Sequence, residues 1–149
     1  LLHSFPTRRS SDLEKYTMKV QIESRVLGDL ALNHIVPTAV SYQNRLLENL
    51  RGLKEIFSPE EYEVMSADRK DLVRDISRRV TAIKMQVAEM TEARRVANHK
   101  DNFKEKAYAY EETVRPYLES IREHIDHLEM EIDDEMWPLP KYRELMFTK

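Results

Sequence analysis

The chain contains no cysteine. That rules out a disulfide framework and thiolate chemistry, and it fits a reducing compartment such as the cytoplasm. Glycine occurs only twice in 149 residues. A mixed sheet protein would need more turn glycines, and a glycine-rich phosphate loop is impossible. No apolar run approaches the ~18 residues that a membrane span requires. Neither charge sign dominates: the formal net charge is −3, which argues against a nucleic-acid binder driven by phosphate neutralisation. What remains is Glu, Lys, Arg, Leu and Ala in quantity, a helix-rich composition.

Hydrophobic spacing predicts three long helices. From Lys15 to Phe57 the rhythm is helical, and Ala39, Tyr42, Leu46, Leu50, Leu53 and Phe57 form one apolar face. Pro37 lies inside this stretch and predicts a kink or a short break near "HIVPT". "FSPEEYE" is the clearest boundary: Ser58 as N-cap, Pro59 at the first helical position, and Glu61 placed to complete a capping box. The second helix is expected to run to about Asn98, with Tyr62, Met65, Leu72, Ile76, Val80, Ile83, Val87 and Met90 as its seam. Asp101 or Asn102 is expected to cap a third helix. Its seam reads Phe103, Ala107, Tyr110, Val114, Leu118, Ile121, Ile125, Leu128 and Ile132, with a bend near Arg115 caused by Pro116. Pro138 and Pro140 disfavour helix beyond that. The end is expected to be an extended strap pinned by Trp137 and Leu139, with one helical turn at Tyr142 to Phe147. The fold class is therefore all-α: three long antiparallel amphipathic helices in a bundle, with an extended proline-containing C-terminal strap.

Four groups of residues invite a chemical reading. His124 and His127 lie three apart on the third helix, near Glu123 and Glu131. A di-iron bundle would need paired Glu-x-x-His motifs, and none exists; HExxH is also absent. Ordinary half-exposed helix positions account for them. The acidic run "EMEIDDEMW" lacks the glycine and ligand spacing of a calcium loop. Acids at a helix C-terminus oppose the macrodipole, so they read either as a solvated end or as a contact with a partner. The basic run "EARRVANHK" either complements its own helix end or holds a phosphate or a carboxylate from another subunit. Around Pro37, Asn33, His34, Thr38, Tyr42, Gln43, Asn44 and Asn49 suggest a buried hydrogen-bonded interface with another domain, or a ligand site. No nucleophile elbow, phosphate loop or metal motif emerges. The residues alone describe a helical packing or assembly module.

Three stretches carry a family resemblance: "KVQIESRVLGDLALNHIVPTAVSYQNRLLENLRGLKEIF", "ISRRVTAIKMQVAEMTEARRVAN" and "DDEMWPLPKYRELMFTK". Together they resemble the C-terminal region of type III glutamine synthetases, over residues from about Tyr16 to Lys149. The resemblance implies a parent enzyme that joins ammonia to glutamate through γ-glutamyl phosphate, using ATP and Mg²⁺ or Mn²⁺, and that assembles as stacked hexameric rings. It also implies that the metal, nucleotide and glutamate contacts belong to a catalytic domain upstream. No catalytic, cofactor-binding or metal residue is therefore carried over to this chain, and no cofactor is expected in it. The expected partners are the chain's own catalytic domain and neighbouring subunits of a ring-shaped homo-oligomer, with no nucleic acid and no membrane. The final residues resemble the family's own ending, so this end is expected to be native.

The opening "LLHSFPTRRSSDL" has no initiator methionine and no signal-peptide pattern. From Leu2 through Asp12 it resembles a translated sequencing adapter. Residues 1–13 are accordingly expected to be an artefact and residues 14–149 the C-terminal helical domain. Two rival readings carry different expectations: a free-standing helical interaction module without catalysis, and a metal-binding bundle enzyme.

Overall fold

Strong helix formers fill most of the chain, and the computed structural model, which describes residues 10–141, is all-helical. Helix accounts for 88% of the described residues, and no strand occurs among them. Three rods are separated by two short loops. The first joins α1 (Ser10–Leu30) through a π turn (Ala31–Ile35) to α2 (Val36–Ile56). The second is α3 (Pro59–Asn98). The third joins α4 (Phe103–Ala109) through a second π turn (Tyr110–Val114) to α5 (Arg115–Glu131).

The ends of the rods are written in the sequence. The Ser58 hydroxyl accepts from the Glu61 N–H at 3.2 Å, and the Glu61 carboxylate accepts from the Ser58 N–H at 3.4 Å, so the capping box is complete. Of the two candidate caps for the third rod, Asn102 serves: its Oδ1 accepts from the N–H groups of Lys104 and Glu105 at 2.8 and 3.0 Å.

Neither internal proline breaks a rod. Proline has no N–H and its ring presses on the carbonyl four residues back. Each rod answers with a π turn, in which the carbonyl five residues back accepts instead. The Val36 N–H donates to the Ala31 carbonyl just before Pro37. The Arg115 N–H donates to the Tyr110 carbonyl just before Pro116. Of the kink or short break expected at "HIVPT", no break occurs: the helix is continuous and locally widened.

The main core cluster is shared by all three rods. Ile35, Ile76, Ile83, Met90, Tyr110, Ile121 and Leu128 are fully buried in it. Each such side chain contributes roughly 1.5–3 kcal/mol by leaving water. Gln43 of α2 meets Val73 and Ser77, whereas Gly28, earlier on the same rod, faces Val87 and Met90. Asn98, at the end of α3, meets Tyr110, and Arg79 meets His124 and Glu131.

Two seam positions differ from expectation. Met65 is exposed and its neighbour Ser66 is fully buried. The third rod ends beside Asp75 and Arg79, so the first turns of α3 pack on α2 without a third helix, and a different, narrower face turns inward. Phe103 is also exposed, and the buried seam of the third rod begins at Ala107. Ser10–Leu13, within the stretch expected to be foreign, continue α1, and Leu13 is buried against Ala107.

Beyond α5 the chain folds back rather than running straight out. The N–H groups of Met136 and Trp137 both donate to the Asp133 carbonyl, at 3.0 and 3.1 Å. Trp137 is buried in the core, whereas Leu139 stays at the surface. Lys141 is buried; its ammonium donates to the Ile132 carbonyl at 2.5 Å, pairs with Asp134 at 2.7 Å and lies over the Trp137 ring. The helical turn expected at Tyr142 to Phe147 lies outside the described residues.

Candidate functional site

Two polar clusters lie between the rods. In the first, the π turn of the third rod carries Glu111 inward, where it is buried. The Tyr16 hydroxyl of α1 donates to Glu111 Oε2 at 2.5 Å, and Arg115 donates to both carboxylate oxygens at 2.8 and 3.2 Å. Burial pushes the Tyr16 hydroxyl up to about 12, and the Glu111 carboxylate adds to that while Arg115 opposes it. The Glu111 charge in turn raises Arg115. A groove of about 170 Å³ opens beside this cluster, edged by Lys19, Glu23, Glu119 and Arg122. Its charges alternate in sign, and Arg115 also lies 3.6 Å from Glu119. This is a satisfied structural network with no free nucleophile or base.

The second cluster joins α3 to the end of α5. Arg79 Nε donates to Asp75 at 2.8 Å and stands 3.8 Å from Glu131. Arg78 also donates to Asp75. Burial works against ionising Asp75, but hydrogen bonding to Glu131, Arg79 and Arg78 outweighs it and holds the carboxyl at about 2. Glu131 moves the other way, to about 7, because it is buried and shares its proton with the Asp75 carboxylate. His124 Nδ1 lies 3.2 Å from the Arg79 guanidinium and therefore accepts from it. Burial, then the Arg79 charge, lower the His124 pKa and so favour the neutral imidazole. His127 faces solvent. His124 is thus tied to an arginine, which repels a cation. Among the described residues, no three side chains of ligating type come together.

The polar segment around Pro37 is only partly interior. Gln43 links two helices, donating to the Val73 carbonyl at 2.9 Å and to the Ser77 hydroxyl at 2.6 Å. Asn33 and His34 are exposed, as are Asn44 and Asn49. Asn33 donates to Asp29, and the Thr38 hydroxyl to the His34 carbonyl. Within this chain the segment is therefore largely a surface, with one half-buried amide.

The acidic run finds cations of its own: Arg45 stands 3.7 Å from Asp133, and Lys141 pairs with Asp134. The basic run divides. Arg95 is bound in bidentate fashion by Glu92, at 2.6 and 2.9 Å. Arg94 is half-buried, and its Nε is buried without a hydrogen-bond partner. Burial and the nearby charge of Arg25 both lower its pKa. The Tyr110 hydroxyl beside it donates to Asn98 at 2.6 Å. Sequence reasoning singled out this run but did not separate its two arginines. It missed Glu111 and Asp75 altogether, because their partners lie on other helices.

Comparison with known proteins gives this helical assembly a context. The glutamine synthetase C-terminal domain family matches residues 4–54. The chain is 82% identical over 142 residues to a glutamine synthetase of Bacteroides fragilis (strain YCH46), which is 95% of this chain and 20% of that protein. It is 22% identical over 153 residues to a type-3 glutamine synthetase of Dictyostelium discoideum, 96% of this chain and 20% of that protein, in its C-terminal part. The chain thus spans about a fifth of the length of these relatives. The chain is thus similar to a glutamine synthetase along 95% of its length, and its residues 4–54 match that family's C-terminal domain.

Proposed function

We propose that residues 14–149 form the C-terminal helical domain of a type III glutamine synthetase. The domain's task is scaffolding: it packs on the catalytic part of its own polypeptide and on neighbouring subunits of a ring-shaped homo-oligomer in the cytoplasm. The parent ligates ammonia to glutamate with ATP. The observation that carries this reading is the 82% identity over 95% of the chain. The type III assignment draws on the Dictyostelium relative. The contacts of Gly28 and Gln43 with α3, and of α3 with the third rod, support an up-down-up bundle with antiparallel neighbours.

The divalent metal of the parent reaction does not fit the described residues. The half-buried acid pair Asp75 and Glu131 is engaged by Arg78 and Arg79, and no group of three ligating side chains occurs among the described residues. No chemical step is assigned to these residues.

The test is direct. Given glutamate, ammonia, ATP and Mg²⁺, the isolated chain forms no glutamine, and the same chain joined to its natural upstream sequence does. Glutamine made by the isolated chain overturns the scaffold role. A joined protein without ligase activity overturns the enzyme assignment.

A further inference from the structure

Among the described residues, nothing packs against one face of α1. Met18, Ile22 and Val26 are 60%, 56% and 61% exposed. They recur every four residues, so they form one continuous stripe along the helix. Exposed single apolar residues are ordinary, but three in register on one rod mark a surface that excludes water when covered. Arg25 follows Ile22 by three residues and Met18 by seven, which puts it on the same face. Across the α1–α3 seam lies Arg94, with its Nε buried and unbonded. Among the described residues neither arginine has an ion-pair partner, whereas Arg95, next in sequence, is satisfied by Glu92. A half-buried guanidinium beside a second cation is costly unless an acid completes the site.

We propose that the stripe Met18, Ile22 and Val26, with Arg25 and Arg94 beside it, is the seat of the preceding part of the same glutamine synthetase polypeptide, which supplies apolar side chains and a carboxylate. This rests on reading the chain as a C-terminal domain. Two observations select that occupant. Positive charge without a counterion asks for an acidic residue. In the Dictyostelium relative the match lies in the C-terminal part and covers a fifth of the length, so the remainder precedes α1, the helix that bears the stripe.

Peroxide footprinting reads the stripe directly, because methionine oxidation follows exposure. The 149-residue chain and the parent protein containing it are treated in parallel, and each methionine is followed by peptide mass. Met18 is expected to oxidise at least tenfold more slowly in the parent. Arg25→Glu with Arg94→Glu in the parent is expected to restore the fast rate, and Arg95→Glu to leave protection intact. Equal Met18 rates in the two proteins overturn the proposal. So does protection in the short chain that grows with its concentration, which would identify a second copy. So does protection in the parent that is lost on dissociating its subunits. Survival of protection in the double arginine variant removes the carboxylate. Glutamine synthesis is assayed on the same parent sample: protection without ligation overturns the enzyme assignment and leaves the docking face standing.

Discussion

Pro37 and Pro116 stand in the same relation to their helices: each lies two residues beyond the last residue of a π turn. A π turn holds one more residue than an α turn, so it is equivalent to a single-residue insertion absorbed without disturbing either flank. Deleting exposed Thr113 together with Pro116→Ala is therefore expected to yield an uninterrupted α-helix. Circular dichroism should keep the same helical signal, with a thermal midpoint within a few degrees of the original. Deleting Glu123 from the middle of α5 would instead rotate Ile125 and Leu128 out of the core, costing about 2–5 kcal/mol for each large side chain uncovered. Equal damage from both deletions would show that the π turn is not a spare residue.

Tyr16→Phe removes the hydrogen bond to Glu111 and leaves that carboxylate with Arg115 alone. We expect a loss of about 1–2 kcal/mol in urea unfolding at neutral pH. The sign of the alkaline dependence is fixed as well. The tyrosine is raised to about 12 from 10.0, so the folded state keeps a proton that the unfolded chain releases, and stability falls as pH climbs through that interval. A phenolate absorbance titration should show a late step near 12 that the variant lacks.

Glu131 imposes the opposite of the usual carboxylate behaviour. Its pKa rises from 4.5 to about 7, so the folded protein holds its proton after the unfolded chain has lost it. Stability therefore declines as pH rises between those values. Asp75, held at about 2 rather than 3.8, adds stability above its ordinary pKa and gives it up as pH falls toward the lower value. Glu131→Gln keeps a donor for Asp75 and cannot ionise. It is expected to flatten the decline and to be more stable than the original by about 1–2 kcal/mol at alkaline pH. Unfolding curves at mildly acidic and mildly alkaline pH decide this; a variant that tracks the original at both refutes it.

Ser66 is fully buried and its hydroxyl has no partner among the described residues. An unsatisfied buried hydroxyl costs roughly 1–3 kcal/mol. Ser66→Ala should therefore stabilise the chain by about 1 kcal/mol in urea, and a destabilised variant would mean that the hydroxyl is bonded after all.

Much of the helical layout was legible because it is local. The Ser58–Glu61 box, the Asn102 cap and the three seams follow from residues within a turn or two of each other. The two prolines announced a disturbance, but not its form. Whether a helix breaks or widens depends on whether the buried faces on both sides must stay aligned, and Ile35 and Tyr110 settle that only once packed. The exchange of Met65 for Ser66 depends on where α5 stops, some 65 residues later in the chain. The same limit governs the polar clusters: Tyr16 and Glu111 are 95 positions apart, and neither is unusual in its own neighbourhood. The unpaired state of Arg94 was invisible for a related reason. Its neighbour Arg95 has an acid three residues away, and only packing against α1 shows that Arg94 has none.

Trp137 and Lys141 follow every described helix in the order of synthesis, yet one completes the core and the other covers the end of α5. A chain stopped at Glu131 would keep the five described α-helical segments and both π turns while lacking the wedge between them. Far-ultraviolet circular dichroism, which counts helical peptide groups, would scarcely register the loss. The indole, the only one in the protein, reports a different event from the dichroism: the shutting of the bundle rather than the winding of its rods.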